Sequence, residues 1–293
     1  MYKSSNELLS TVWRVVKLPL YYMLYQGLFS SLSMVAVTVY ATVNGTVSIE
    51  ALSSGDAGAI LAAIPDNYMV WGASLGLFLA AAVMLWHLIF WGYFSFGKEP
   101  FRQVGGKVML LSIMLVFAAM FMFNVLAQEL GLSDKLADVM KQVSNNVLGC
   151  ISIAVLGPIL EEVLFRGAIQ GYLMRKYNPA VGIVVAALVF GLIHMNPIQI
   201  FYAFCLGLVF GWMYYRTCSL MPVIIGHVLN NSLAVVTMIM GAEEEDAVMS
   251  PAEKITIIAG SLLAALALMH LINRLQPAVP VPWRGVEDTE TQE

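Results

Sequence analysis

The stretch GPILEEVLFRGAIQGYL, residues 157–173, decides how this chain is interpreted. Most of its residues are apolar, yet it carries two adjacent carboxylates, Glu161 and Glu162, and one guanidinium, Arg166. A charged side chain near the centre of a bilayer costs about 2.5–3.5 kcal/mol on insertion scales. Charges in such a segment therefore face a protein interior or a wet cavity, and they mark a functional site by default.

The composition of the whole chain is that of a membrane protein. The 293 residues are 59% hydrophobic and only 12% charged, and the mean hydropathy is +0.78. Soluble domains are nearer about 45–50% apolar and about 25% charged. No basic patch suggests nucleic-acid binding, and the three cysteines show no CxxC spacing. The composition predicts an all-α, polytopic membrane protein.

Apolar stretches of about 20 residues, the length that crosses a bilayer, predict about eight transmembrane helices. The fifth and sixth are separated only by MNPI, so they form a tight hairpin or the fifth stops short of the far interface. Residues 133–143 are predicted to form a short interfacial helix. The eight predicted spans are 18–43, 69–96, 107–128, 147–174, 179–195, 198–216, 219–241 and 253–275.

Charge predicts the orientation, because cytoplasmic segments are enriched in Lys and Arg. With a cytoplasmic N-terminus, the outer segments hold only Lys135, Lys141 and Lys254, together with the acidic loop at 242–246. An even number of spans places both termini in the cytoplasm. The basic residues then assigned to the inside are Lys3, Arg14, Lys17, Lys98, Arg102, Lys107, Arg175, Lys176, Arg216, Arg274 and Arg284.

The charges of the opening stretch allow two interpretations. Glu162 and Arg166 are four residues apart, so they share one helix face and can pair. Glu161 lies about 100° around the helix from Glu162, which leaves it free to point elsewhere. The three side chains form either a structural ion-pair cluster or part of a functional site.

Two other spans supply polar partners for Glu161. His194 follows Phe190 by one turn, and His227 and Asn231 share a helix face. At 1.5 Å of rise per residue, Glu161 and His194 lie about 21 Å from the cytoplasmic interface and His227 about 10 Å. These depths are compatible with one shared cavity.

This residue set suits hydrolysis of an amide without a serine or cysteine nucleophile. A carboxylate and a histidine can activate a water as general bases, and a second histidine with an asparagine can donate hydrogen bonds to an oxyanion. Glu161, His194 and His227 could instead bind Zn²⁺, since His₂Glu is a known catalytic zinc set. No HExxH signature is present.

At these residues the chain resembles the CPBP family of CAAX proteases and bacteriocin-processing enzymes, also called the Abi family, whose members include the Ras-converting CAAX endopeptidases. The resemblance covers about residues 146–240. It implies an intramembrane endopeptidase with a conical catalytic cavity among its helices. The motifs that carry it are EExxxR at Glu161, Glu162 and Arg166, FxxxH at Phe190 and His194, and HxxxN at His227 and Asn231.

The resemblance also implies a role for each catalytic residue. Glu161 would activate the water together with His194. His227 and Asn231 would form the oxyanion site.

Three further residues are supporting ones by the same resemblance. Glu162 and Arg166 would orient the catalytic set, and Phe190 would pack against it. The family leaves open whether a metal, here Zn²⁺, takes part.

The chain is predicted to divide into five segments around this core. Its partners are the lipid bilayer and a peptide or protein substrate with a membrane-embedded or lipidated end; nucleic acid is not among them. The expected location is a bacterial cytoplasmic membrane. The segments are 1–17 (interfacial N-terminus), 18–145 (helices 1–3 and the interfacial helix), 146–241 (catalytic core, helices 4–7), 242–275 (acidic loop and helix 8) and 276–293 (disordered tail).

Two rival functions remain at this point. An ion-coupled transporter would use Glu161 and the histidines as a relay, but it predicts broken helices in an internal repeat, and no repeat is found. A non-catalytic scaffold or immunity protein would keep the same fold for binding.

Overall fold

A computed structural model describes residues 5–49, 53, 56–97, 100–241 and 249–276, and the structural statements below concern these residues. The predicted acidic loop at 242–246 and nearly all of the predicted disordered tail lie outside them. The described residues contain no β-strand. The all-α fold class is therefore confirmed.

The helices are long and most of them are apolar enough to cross a membrane. The helices that are described from end to end are α1 (Ser5–Val43), α2 (Ala57–Ala63), α3 (Asp66–Phe90), α4 (Gly106–Glu129), α5 (Ala137–Ser144), α6 (Val147–Lys176), α7 (Pro179–Leu192), α8 (Pro197–Thr217), α9 (Met221–Met240) and α10 (Pro251–Leu275). Within the described residues, seven have the length and hydropathy of a membrane span: α1, α3, α4, α6, α8, α9 and α10.

The predicted fifth span is shorter than expected. Its helix, α7, ends at Leu192 after 14 residues, which is about 21 Å of rise against about 30 Å of hydrocarbon. The chain turns at Met195, which has a positive φ of 50°, and α8 starts at Pro197. Of the two alternatives for this hairpin, the structure therefore has the one in which the fifth helix stops short.

Local sequence explains where the helices begin. The side chain of Asn146 accepts hydrogen bonds from the Leu148 and Gly149 N–H groups before α6, and Asn178 caps α7 in the same way. Ser250 and Glu253 form a reciprocal capping box at the start of α10. α1, in contrast, runs unbroken from Ser5, so no helix end separates the predicted interfacial segment from the first span.

α6 is the central helix, and it contacts α3, α7, α8 and α9. It is not a regular α-helix, because residues Ser152–Leu156 and Val163–Gln170 are π-helical. Single-turn π segments inside α-helices occur frequently at functional sites. Here they flank the α-helical turn Gly157–Glu162 that carries both carboxylates.

Close helix approach depends on small residues, as is usual between membrane helices. α1 and α3 pack against each other so tightly that a Cβ added at Gly76 would lie 2.5 Å from the Ser30 Cα. No real Cβ contact is that short, and the obstacle is backbone. The α1–α3 contact therefore requires glycine at position 76.

Replacing Gly76 by alanine is expected to push α1 away from α3 and to lower the free energy of unfolding by about 1–3 kcal/mol. The measurement is thermal unfolding of the purified protein in detergent. Gly260→Ala is the matched control, because a Cβ at Gly260 meets nothing within 4 Å. Equal melting temperatures for the two variants would contradict this packing.

Candidate active site

A buried ion pair lies beneath the site. Arg166 Nη1 donates to Glu162 Oε1 over 2.9 Å, and neither side chain is exposed. The same Glu162 oxygen accepts a hydrogen bond from His227 Nδ1 over 2.7 Å. The carboxylate therefore joins a cation on its own helix to a histidine on α9.

The guanidinium of Arg166 is held by more than its partner carboxylate. Its Nη2 donates to the carbonyl of Gly207 on α8 over 3.3 Å, and its central carbon lies 4.5 Å from the Phe190 ring centre and 5.3 Å from that of Phe210. These contacts stabilise the buried charge with a carbonyl dipole and two aromatic faces, while its Nε has no hydrogen-bond partner among the described residues. One turn further on, Gln170 Nε2 donates to the Gly211 carbonyl over 2.8 Å.

His227 connects the ion pair to the exposed part of the site. Because Nδ1 donates to Glu162, its other nitrogen, Nε2, is directed toward Glu161, whose Oε2 lies 3.6 Å away. The Glu161 side chain is 15% exposed, whereas that of His227 is 5% exposed. Of the two carboxylates, Glu161 is thus the one that reaches the cavity.

His194 lies just beyond the end of α7 and is held by the residue one turn earlier. Its Nδ1 donates to the Phe190 carbonyl over 2.8 Å. Because a carbonyl only accepts, Nδ1 carries a hydrogen and Nε2 is the nitrogen left for the cavity. The Phe190 ring contacts His194 and His227 edge-on, with ring centres 5.1 Å and 5.8 Å away.

Asn231 satisfies a carbonyl that α6 leaves without a helical donor. In the first π-helical segment, the Gly157 N–H bonds to the Ser152 carbonyl five residues earlier. The next such bond would need an N–H at Pro158, which has none. Asn231 Nδ2 donates to that free carbonyl, at Ile153, over 3.1 Å.

Two residues that the motif analysis missed hold Asn231 from its other side. Asn230 Nδ2 donates to Asn231 Oδ1 over 2.8 Å, and the Tyr202 hydroxyl donates to Asn230 Oδ1 over 2.7 Å. These two consecutive hydrogen bonds determine which amide atom of Asn231 faces Ile153. The adjacent asparagines in VLNNSL are the only sequence signal for it, since Tyr202 lies on another helix.

These side chains share one cavity of about 350 Å³ between α1, α3, α5, α6, α7, α8 and α9. Four predicted catalytic residues line it: Glu161, His194, His227 and Asn231. Phe190 lines it as well, while Glu162 and Arg166 lie fully buried behind it. Glu161 and His194, both of which the structure describes, have no direct hydrogen bond to each other; the closer partner of Glu161 is His227.

The donor set does not fit a metal ion in this geometry. Among the described residues, no three His, Cys, Asp or Glu side chains come close enough together to hold one. The zinc set predicted as an alternative from Glu161, His194 and His227 is therefore not assembled, and no step below involves a metal.

The other two histidines lie outside the site. His87 is buried beside α1, where its Nδ1 is 2.8 Å from the Tyr25 hydroxyl. His270 lies on α10 and is exposed.

Comparisons with known proteins agree with this site. Residues 143–233, which include α6, α7, α8 and most of α9, match the family described as type II CAAX prenyl endopeptidase Rce1-like. The "Putative membrane peptidase YdiL" of Bacillus subtilis (strain 168) is 30% identical over 83 residues, which are 28% of this chain and 34% of that relative. The match thus spans about a third of the relative's length. No solved structure matches the chain.

The family predicted from the three motifs is confirmed by these matches. The matched residues, 143–233, include all seven motif residues. Together with its seven span-length apolar helices, this makes the chain an integral membrane protein.

Replacing Arg166 by methionine is expected to lower the free energy of unfolding by about 3–5 kcal/mol, because Glu162 is left buried without its cation. Thermal unfolding in detergent measures the loss. Arg274→Met, which removes an exposed charge from α10, is the control and should change stability little.

The double variant Glu162→Gln with Arg166→Met separates charge from packing. It removes both charges and should be more stable than Arg166→Met alone. If Arg166→Met is as stable as the unaltered protein, the ion pair is not what holds α6 in place.

Proposed function

We propose that the protein is an intramembrane endopeptidase that hydrolyses a peptide bond with a water molecule activated at Glu161. One observation carries the proposal: four polar residues from three separate helical regions line a single cavity inside the family-matched core. The buried pair behind them, Glu162 and Arg166, supports a fixed geometry for His227.

Glu161 and His194 would act on the attacking water. The Glu161 carboxylate is the acidic group that lines the cavity among the described residues, so it would take one water proton as the oxygen attacks the peptide carbonyl. His194 Nε2 would accept a hydrogen bond from the other hydrogen of the same water molecule and so orient the nucleophile. As the tetrahedral intermediate collapses, Glu161 would return its proton to the leaving amine and the C–N bond would break.

Asn231 and His227 would stabilise the oxyanion. Asn231 Nδ2 has two hydrogens, and the Ile153 carbonyl takes one, so the second is available to the substrate. His227 in its protonated form would offer an Nε2–H on the same side of the cavity, since its Nδ1 is held by Glu162. Fixed donors of this kind are effective because they need no reorganisation during the reaction.

The proposed substrate is a peptide or protein with a membrane-embedded or lipidated end. The cavity opens among span-length helices and most of its lining is apolar, which suits a segment delivered from the bilayer. The proposed location is a bacterial cytoplasmic membrane with both termini in the cytoplasm, and the proposed catalytic core is residues 146–241.

Glu161→Gln is expected to abolish cleavage of a quenched fluorogenic peptide library by the purified protein in detergent, because glutamine cannot accept the water proton. Glutamine has nearly the same size, so the variant should keep its melting temperature. The control is Glu129→Gln, which alters a half-exposed carboxylate at the far end of α4 and should leave the rate unchanged.

The same assay includes a strong chelator with zinc add-back. Cleavage that persists under chelator and disappears in Glu161→Gln supports the glutamate-dependent reaction. Cleavage that chelator removes and zinc restores would contradict the mechanism above. A folded protein that cleaves nothing in the library would contradict a broad endopeptidase and favour the scaffold function.

Asn231→Ala is expected to lower kcat by about 10²–10³-fold, the usual effect of removing one oxyanion donor, with a much smaller change in KM. Steady-state kinetics on any cleaved peptide measures both constants. Asn124→Ala on α4, an exposed asparagine outside the cavity, serves as the control. A rise in KM at constant kcat would instead assign Asn231 to substrate binding.

A further inference from the structure

The two ends of the helix bundle differ in charge. At one end the α3–α4 connection meets the start of α9, where Leu220 N–H donates to the Pro100 carbonyl and Ser219 Oγ donates to the Arg102 carbonyl. We call this the basic end. Its described basic residues are Arg14, Lys17, Arg102, Lys107, Arg175, Lys176, Arg216 and Arg274, against one described acidic residue, Glu7.

The opposite end, called here the acidic end, holds the α4–α6 connection, the α7–α8 turn and the start of α10. Its parts are tied together: Asn196 Nδ2 donates to Asp134 over 2.8 Å, Asn196 Oδ1 accepts from the Lys135 N–H, and Lys254 pairs with Glu129. Its described acidic residues are Asp56, Asp66, Glu129, Asp134, Asp138 and Glu253, against the basic residues Lys135, Lys141 and Lys254.

The cavity is closed toward the basic end. Directly behind Glu162, four large side chains have no exposure at all: Phe165, Arg166, Phe210 and Met213. One turn below Arg166, Gln170 is equally buried. At Gly167 an added Cβ would lie 2.7 Å from the Phe94 ring, so the α3–α4 connection is pressed against α6 and leaves no passage.

The cavity reaches toward the acidic end instead. The lining residues nearest that end are Met140 on α5, Gln199 in the first turn of α8 and Met238 in the last turn of α9, and we take these three as its mouth. All three are partly exposed. The short α7 ends at Leu192 on this side and adds no wall beyond it.

The path from the mouth to the site suits an extended peptide. Met238 and His227 lie on the same helix, and their separation corresponds to about 16 Å of rise. About five extended residues cover that distance. No Lys or Arg lines the cavity among the described residues, and the walls carry neutral groups such as Gln26, Gln199 and Tyr202.

We propose that the cavity takes its peptide substrate from the non-cytoplasmic side of the membrane. The argument combines two observations: the basic end, which by its charge faces the cytoplasm, is closed, and the mouth lies at the acidic end. The substrates would be uncharged segments of about five or more residues that emerge on the outer surface, carried by exported or membrane-anchored proteins. The choice of substrate rests on the proposed function, whereas the direction of the mouth does not.

The direction of the mouth is tested by labelling single cysteines in intact cells with a membrane-impermeant maleimide. The background carries Cys150→Ser, Cys205→Ser and Cys218→Ser. Met238→Cys and Met140→Cys report on the mouth. Ser133→Cys reports on the acidic end and Ser95→Cys, in the α3–α4 connection, on the basic end; both serines are exposed.

The expected result is labelling of Met238→Cys, Met140→Cys and Ser133→Cys in intact cells, with Ser95→Cys labelled only after permeabilisation. Labelling of Met238→Cys only after permeabilisation, together with Ser95→Cys, would overturn the proposal. Failure to label either mouth position from either side, with both controls labelled, would overturn it too, because the cavity would then have no open mouth at that end.

The origin of the substrate is tested separately with membrane vesicles and the fluorogenic peptide library. Right-side-out vesicles should cleave the peptides and inverted vesicles should not, with Glu161→Gln vesicles as the blank. Cleavage by inverted vesicles alone would overturn the outward route while leaving the endopeptidase intact. Absence of cleavage in both, with outward labelling of Met238→Cys, would refute the endopeptidase and retain the outward mouth.

Discussion

The buried carboxylate of Glu162 is the contact on which the site depends. One of its oxygens accepts from both Arg166 and His227, so it links α6 to α9 across the middle of the bundle. A pair of this kind is costly to desolvate and strongly destabilising to break on one side. The role of the pair here is geometric, because it orients the His227 ring so that Nε2 points toward Glu161.

The irregular helix α6 contributes to the geometry of the site. A π segment adds one residue to a turn and so rotates all later side chains by about 100°. The segment Ser152–Leu156 also leaves the Ile153 carbonyl open, because Pro158 has no N–H, and Asn231 is bound there. A backbone irregularity on one helix is thus what positions an amide of another helix.

The sequence predicted much of this molecule, for physical reasons that can be named. Spans follow from apolar length, and the pairing of Glu162 with Arg166 follows from their spacing on a helix. The three motifs predicted the family, and the family match over residues 143–233 agrees with that prediction. The close helix packing at Gly76 could not be predicted from the sequence, because its partner Ser30 lies on another helix that is far away along the chain.

The rest of the site depends on tertiary contacts that spacing does not encode. His227 and Asn231 were predicted to share a helix face, but their contacts diverge: His227 bonds to Glu162 and Asn231 to Ile153 and Asn230. Glu161 was expected to work beside His194, and the structure adds His227 as its nearest partner. Regular α-helical geometry cannot give these contacts, because the π segments shift the register within α6.

The most direct test of the account is the hydrogen position on the His227 ring, read by ¹⁵N NMR of histidine-labelled protein in detergent and assigned by loss of the signal in His227→Gln. The account predicts a protonated, hydrogen-bonded Nδ1, since Glu162 can only accept there. An unprotonated Nδ1 with the hydrogen on Nε2 alone would contradict it, because Glu162 would then not hold the ring and Nε2 would not be set by the buried ion pair.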